Sequence, residues 1–344
     1  MKLVHWTQIP DNPNAKSGML STIAELIEAE MGILNMKNVV VCDTDKKEGG
    51  KNIPLRRRST LTVPWEDVLN DDDAVHIIHT YPPQTMYDMK RKVFMIHGVP
   101  EYCWWDDLYG VTNSWWQLTT LMHLCDASIT FFKRDVQFWE EYTDQKVHAI
   151  RRGIDLKHWT PTGEKAPFFM RPHLLYCEAL RNIKLPFVPL FPVKKIQRQL
   201  TQVHFRLVLT DPKQQINWSN LITGLQIEHL CPMIFGLVID PRPMFRGVDI
   251  GISPVLWGLV SRVPLEMNAC GTPIICFKGM KDYPIYGAKV DDTPEGVAAG
   301  VFKIWDKIQS DPEGEALRAR KVAEREWDIR NMAKDVIKVC EAVM

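Results

Sequence analysis

The chain lacks a run of about 18 or more apolar residues, so no membrane-spanning helix is expected. Its opening residues, MKLVHWTQIPDNP, have no apolar stretch of the kind that a secretory leader needs. It has no net charge: Lys and Arg number 42, Asp and Glu 42, so no global basic field directs it to nucleic acid. No two of its 8 cysteines form a C-x-x-C pair, which argues against a structural zinc site. Most of them lie in apolar contexts, as reduced, buried thiols of a cytoplasmic protein do. Internal repeats and low-complexity tracts are missing too.

What is present is an ordinary globular composition, 45% hydrophobic and 24% charged. A length of 344 residues exceeds one compact core and implies two domains. The 12 tryptophans are many. The pairs Trp104-Trp105 and Trp115-Trp116 bracket an acidic segment, either as packing, the reading preferred here, or as a platform for sugars or bases.

Short apolar runs alternate with helical patterns along both halves. Strands are expected at Leu3 to Trp6, Val39 to Cys42, Val75 to Ile78, Val93 to Ile96, Ala127 to Phe132 and Val147 to Ile150. A polar loop ending in Lys16-Ser17-Gly18 separates the first strand from a helix over Met19 to Met31. Strand, glycine loop, helix and strand open a Rossmann-like unit, and the alternation implies a parallel sheet covered on both faces. His158 to Gly163 reads as a polar linker. A second series follows: Leu174 to Cys177, Phe205 to Leu209, Met233 to Val238, Ile250 to Ser253 and Ile274 to Phe277. The last helix, about Glu313 to Val343, is expected to break near Trp327-Asp328.

The densest signal is Ser253 to Cys276, SPVLWGLVSRVPLEMNACGTPIIC. It reads as a loop, a short helix from about Pro264, a Gly271-Thr272-Pro273 turn and a buried strand. Glu266 falls in the first turn of that helix, where the helix dipole and free N–H groups favour a carboxylate. Pro264, Leu265, Glu266, Ala269, Cys270, Gly271, Thr272 and Pro273 match the pattern E-G-F-G-L-P-x-x-E-A-M-A-C-G-T-P-V. The segment thus resembles the donor-binding signature of retaining glycosyltransferases of the family-4 type (group 1). Arg152-Gly153-Ile154-Asp155 with Trp159 resembles the segment that closes the first domain in that family, and Asp249 to Pro254 resembles the strand that feeds its donor loop.

The resemblance implies an α/β protein of the GT-B fold, two Rossmann-like domains facing each other across a cleft. Residues 1–160 would form the acceptor domain, with a terminal helix of about 328–344 packing back on it, and 165–327 the nucleotide-sugar domain. The implied reaction is retaining, metal-independent transfer of a sugar from a nucleotide-sugar, foremost a UDP- or GDP-sugar, with no further cofactor. Domain closure about 152–165 would exclude water.

By the same resemblance, Glu266 would bind the ribose hydroxyls, since a carboxylate accepts two hydrogen bonds at once. Leu259, Val260, Arg262 and Val263 would line the sugar and the second phosphate. Gly18 would let a backbone N–H approach the donor, and His97, after Val93 to Ile96, would contact the donor sugar. Arg181 and Lys184 are the candidate diphosphate clamp, because Ala179 occupies the family's usual Arg position. Gly258 occupies the place of a second family Glu, with Trp257 and Arg262 at hand to fill the space. His79 and the basic run of Lys46, Lys47, Lys51, Arg56, Arg57 and Arg58 are acceptor-side candidates. That run suits a phosphorylated acceptor, an anionic membrane or DNA, or is a solvated loop. The acceptor is open among a glycan, a lipid-linked sugar and DNA. A DNA-modifying glycosyltransferase acting on a hydroxymethylated base and a non-catalytic sugar- or partner-binding relative are the alternatives.

Overall fold

A computed structural model gives the fold, describing residues 1–9, 18–55, 59–80, 89–98, 100, 114–168, 171–177, 188–200, 202–209, 215–235, 238, 240–255, 261–280 and 283–344. These fall into two compact units, Met1–Gly153 with Asp328–Met344, and Ile154–Trp327.

In the first unit, β1 (Lys2–Thr7) leads to α1 (Gly18–Leu34) and back to β2 (Val39–Asp43). A short antiparallel pair, β3 (Asn52–Pro54) and β4 (Ser59–Leu61), precedes α2 (Glu66–Leu69), β5 (Ala74–Ile78) and β6 (Lys92–Ile96). Helix α3 (Ser114–Leu124), β7 (Ala127–Thr130), α4 (Asp135–Thr143) and β8 (Val147–Ala149) complete the run. The strands stand in the order β2-β1-β5-β6-β7-β8, all parallel, with Leu3 opposite Val39 and His5 opposite Ile77. Every residue of β5 and β7 is buried, as expected of strands covered on both faces. Trp6, Trp65, Ile78, Phe94, Met122 and Trp139 anchor the core.

The second unit repeats the plan. It contains β9 (His173–Cys177), α5 (Val193–Gln199), β10 (His204–Leu209), α6 (Gln215–Leu225), β11 (Met233–Phe235), α7 (Arg242–Gly247) and β12 (Ile250–Ser253). Then come α8 (Arg262–Ala269), β13 (Ile274–Phe277), β14 (Gly287–Val290), α9 (Pro294–Ser310) and α10 (Pro312–Glu326). Its order is β11-β10-β9-β12-β13-β14, again parallel. The final helix, α11 (Ile329–Ala342), starts on an Asp328 side-chain cap and packs on α1 in the first unit.

Several elements differ from the sequence expectation. The β3–β4 pair and edge strand β14 were not foreseen: β3 ends in a proline, and β14 is the short Gly-Ala-Lys-Val with Lys289 exposed. Strand β7 stops at Thr130, two residues early. The 158–163 segment is not a free linker. Trp159 is buried and stacks on Phe245, and Arg246 Nε donates to the Thr160 carbonyl at 2.8 Å. The tandem Trp prediction divides: Trp115 packs against Trp139 at 5.5 Å, whereas Trp116 is 72% exposed, and Trp104 and Trp105 lie outside the described residues. Of the 7 described cysteines none is bonded to another; all are buried but Cys177, which is half-buried. Burial pushes the Cys42, Cys231 and Cys270 thiols up to about 12, so they stay unreactive.

Candidate functional site

In an open parallel sheet, ligands bind beyond the carboxyl ends of the strands, where the strand order reverses direction. The two sheets place that point between β1 and β5 in the first unit and between β9 and β12 in the second. The chain leaving β5 carries His79, and that leaving the adjacent β6 carries His97. The chain leaving β1 reaches Gly18, the first residue of α1. The chain leaving β9 carries Arg181 and Lys184, and that leaving β12 carries Leu259 and Val260 before reaching Arg262, Val263 and Glu266. Arg181, Lys184, Leu259 and Val260 lie outside the described residues, as do Arg56, Arg57, Arg58, Trp257, Gly258 and Ala179.

Around Glu266 the local structure corrects one expectation. Helix α8 starts at Arg262, not Pro264, with Ser261 in extended conformation before it. Pro264 is tolerated because the N–H it lacks would have no partner in the first turn anyway. Glu266 therefore sits one turn further in, with no acid in the first turn. Its Oε1 instead accepts from Arg262 Nε at 3.0 Å, one helical turn back. Both residues are buried, at 5% and 8% exposure, and each offsets part of the other's charge. The site candidates Glu266 and Arg262 thus form one unit, a carboxylate whose orientation is fixed by a guanidinium.

The turn behind this pair is held by a residue that the sequence reading passed over. Asn268, fully buried, donates from Nδ2 to the Thr272 carbonyl at 2.8 Å and the Tyr286 carbonyl at 3.1 Å. Its Oδ1 accepts from the Tyr286 N–H at 2.7 Å. Gly271, at φ 90°, takes the left-handed conformation that closes the helix, and the Thr272 hydroxyl bonds the Phe245 carbonyl. An uncharged amide in the middle of an apolar helix-and-strand segment was the available signal. Asp249 proves structural as well. It lies at the amino end of β12, accepting from the His173 N–H at 2.7 Å and pairing with Arg171 at 2.9 Å. Burial outweighs these partners and raises its pKa.

In the first unit, His79 and His97 are brought together, with His79 Nδ1 3.1 Å from His97 Nε2. Two residues absent from the sequence reading extend the contact. His5 Nδ1 lies 2.9 Å from His79 Nε2, and His5 Nε2 lies 2.6 Å from Glu30 Oε2. His5 and Glu30 are fully buried and His79 nearly so. Burial, with His5 and His97 as neighbours, holds His79 well below the usual histidine range. Burial first, then the Arg152 charge, pushes His97 down to about 3. Both imidazoles are therefore neutral at ordinary pH, suited to hydrogen-bonding a hydroxyl rather than to attracting a phosphate. Glu30 is the sole acid on the apolar stripe of Ile23, Leu26, Ile27 and Met31, a signal that was legible in the sequence.

No protein-family model matches the chain, and no curated protein matches it. Solved structures do. A glycosyltransferase from Rickettsia africae ESF-5 is 14% identical at a TM-score of 0.71, over 99% of this chain and 98% of that one. A sucrose-phosphate synthase from Thermosynechococcus elongatus is 11% identical at a TM-score of 0.71, over 100% and 99%. The Anabaena protein HepE in complex with UDP is 12% identical at a TM-score of 0.62, over 99% and 100%. The fold is therefore that of the GT-B glycosyltransferases, built from two Rossmann-like units.

Proposed function

We propose that the protein is a glycosyltransferase that takes a sugar from a nucleotide-sugar and passes it, with retention of anomeric configuration and without a metal, to an acceptor hydroxyl. The observation that carries this reading is the position of the Arg262–Glu266 pair. It follows the strand-order reversal between β9 and β12, in the segment whose sequence resembles the donor signature. Glu266 would accept the ribose hydroxyls while Arg262 holds its carboxylate in place. Arg181 and Lys184 would supply the positive charge that a departing diphosphate needs. His97 would face the sugar as a neutral hydrogen-bonding group. The resemblance makes a phosphate oxygen of the departing group the acceptor of the incoming hydroxyl's proton, on the same face. UDP in the HepE structure supports UDP as the first nucleotide to try. The division of labour, donor on 165–327 and acceptor on 1–160 with 328–344, is part of the proposal. So is an intracellular site of action; among the described residues no helix is long and apolar enough to cross a membrane.

The test is calorimetry of UDP-, GDP-, ADP- and dTDP-sugars against the wild type and Glu266→Ala. One nucleotide-sugar is expected to bind in the micromolar range, about −8 kcal/mol, and to lose at least tenfold in the variant. Absence of binding by all four would overturn the assignment.

A further inference from the structure

The contact between His79 and His97 is the end of a longer chain. It runs from Glu30 on α1, through His5 in the middle of β1, to His79 after β5 and His97 after β6, with links of 2.6, 2.9 and 3.1 Å. The rings of His5 and His79 lie nearly parallel, 7° apart. His97 Nδ1 ends the chain: it is shielded from water and has no hydrogen-bond partner among the described residues. A buried polar atom without a partner is rare and costs about 1–3 kcal/mol. The cost is recovered when a ligand supplies the missing group.

The direction of the chain decides what that group is. A carboxylate only accepts, so His5 donates from Nε2 to Glu30 and keeps Nδ1 as an acceptor. His79 must then donate from Nε2 to His5 and accept at Nδ1, and His97 must donate from Nε2 to His79. In a neutral imidazole one nitrogen carries the proton and the other does not, so the bond made by one nitrogen sets the tautomer. His97 Nδ1 is left as a bare acceptor. Charge acts in the same sense. Arg152, its guanidinium over the Phe131 ring at 4.5 Å, opposes a positive charge on His97 and so keeps it neutral.

We propose that Glu30, His5 and His79 form a polarised wire that holds His97 as its Nε2–H tautomer and so reserves its Nδ1 for a hydroxyl of the bound sugar. Glu30, His5 and His79 are positioning residues. They select a hydrogen-bond donor at this point and reject a phosphate oxygen, which has no proton to give. The choice of a sugar as ligand rests on the glycosyltransferase reading; the wire and the tautomer do not.

The experiment is long-range proton–nitrogen NMR of the full chain carrying 15N-histidine, as wild type, Glu30→Gln and His79→Phe. In the wild type His97 Nδ1 is expected to resonate as an unprotonated nitrogen and Nε2 as a protonated one, without change from pH 8 to pH 5. Glu30→Gln, whose amide both donates and accepts, is expected to shift His97 toward a mixture of tautomers and to lower kcat/KM by about tenfold. If Glu30→Gln does not fold, His79→Phe removes the link while leaving the His5–Glu30 pair, and the same mixture is expected. A protonated Nδ1 in the wild type, or a tautomer unmoved in the folded variants, overturns the wire even if sugar transfer is found. A correct tautomer in a protein that binds no nucleotide-sugar leaves the wire standing and removes the glycosyltransferase reading.

Discussion

At the scale of single residues, Asn268 decides whether the Arg262–Glu266 pair is presented at all. Its side chain makes three hydrogen bonds with no water to replace them, joining the last turn of α8 to the Gly-Thr-Pro turn and to the residue before β14. Asn268→Ala leaves the Tyr286 N–H and the Thr272 carbonyl unpaired, while the Tyr286 carbonyl keeps the Ile274 N–H at 2.9 Å. At about 1–3 kcal/mol for each group left without a partner, and some relaxation, the expected loss is about 3 kcal/mol, read as a lowered urea midpoint with an unchanged slope. Asn268→Asp has the same shape and can still accept from Tyr286 N–H, but it presents a second carboxylate oxygen to two carbonyls. It is expected to be at least as damaging as Ala at pH 7 and to recover as the pH is lowered and the carboxyl regains a proton to donate. A midpoint within error of the wild type for both variants would show that the amide is dispensable.

At the scale of elements, the segment 154–163 is held to the second unit by the Trp159–Phe245 stack, by Arg246 and, at three carbonyls, by one side chain on α10. Arg320 donates to the carbonyls of Leu156 at 3.1 Å, Trp159 at 2.5 Å and Ala269 at 3.0 Å, and pairs with Glu324 at 2.7 Å. It therefore satisfies the end of α8, whose last carbonyls have no helical partner, and the irregular chain beside it with the same group. Arg320→Ala is expected to cost about 2–3 kcal/mol and to open 156–163 to proteolysis. Arg320→Lys should restore only a fraction, because an ammonium cannot span three carbonyls as a planar fork does. Equal protease resistance of wild type and Arg320→Ala would refute this. The tie also explains why the sequence read as a linker: threonines, proline and glycine mark irregular backbone, but nothing local signals an arginine about 160 positions away. Elsewhere legibility followed burial. Strands β1, β2, β5, β6, β9, β12 and β13 are almost wholly buried, and so wrote themselves as apolar runs. Strand β14 at the sheet edge, with an exposed lysine in the middle, did not. The site divides in the same way. The Glu266 segment is continuous, so its pattern could be read, whereas the histidine chain joins β1 to β5 across 74 positions and exists only after folding.

At the scale of the whole molecule, the neutral histidines make stability fall with acid earlier than carboxylates would. His76, His79 and His97 all lie in the first unit. Burial lowers His76 to about 4, with Trp6 Nε1 donating to its Nδ1 at 3.0 Å, holds His79 well below 6.5, and lowers His97 to about 3. In the unfolded chain each titrates near its ordinary value of about 6.5. Between that value and about pH 4 the unfolded chain binds protons that the folded one refuses, so these histidines favour the fold fully above pH 6.5 and progressively less below it. Each adds about 1.4 kcal/mol of lost stability per pH unit over its window. The urea midpoint should therefore be level from pH 8 to pH 7 and drop steeply from pH 6 to pH 5, before the carboxylates titrate. His76→Gln keeps an acceptor for the Trp6 N–H but has no proton to take up, so it should flatten the drop by one histidine's share without lowering stability much at pH 8. A midpoint constant down to pH 5, or one that His76→Gln leaves equally steep, would mean that these side chains accept protons in the fold. The chain of acceptors ending at His97 would then be charged rather than neutral, and a phosphate rather than a hydroxyl would be its natural partner.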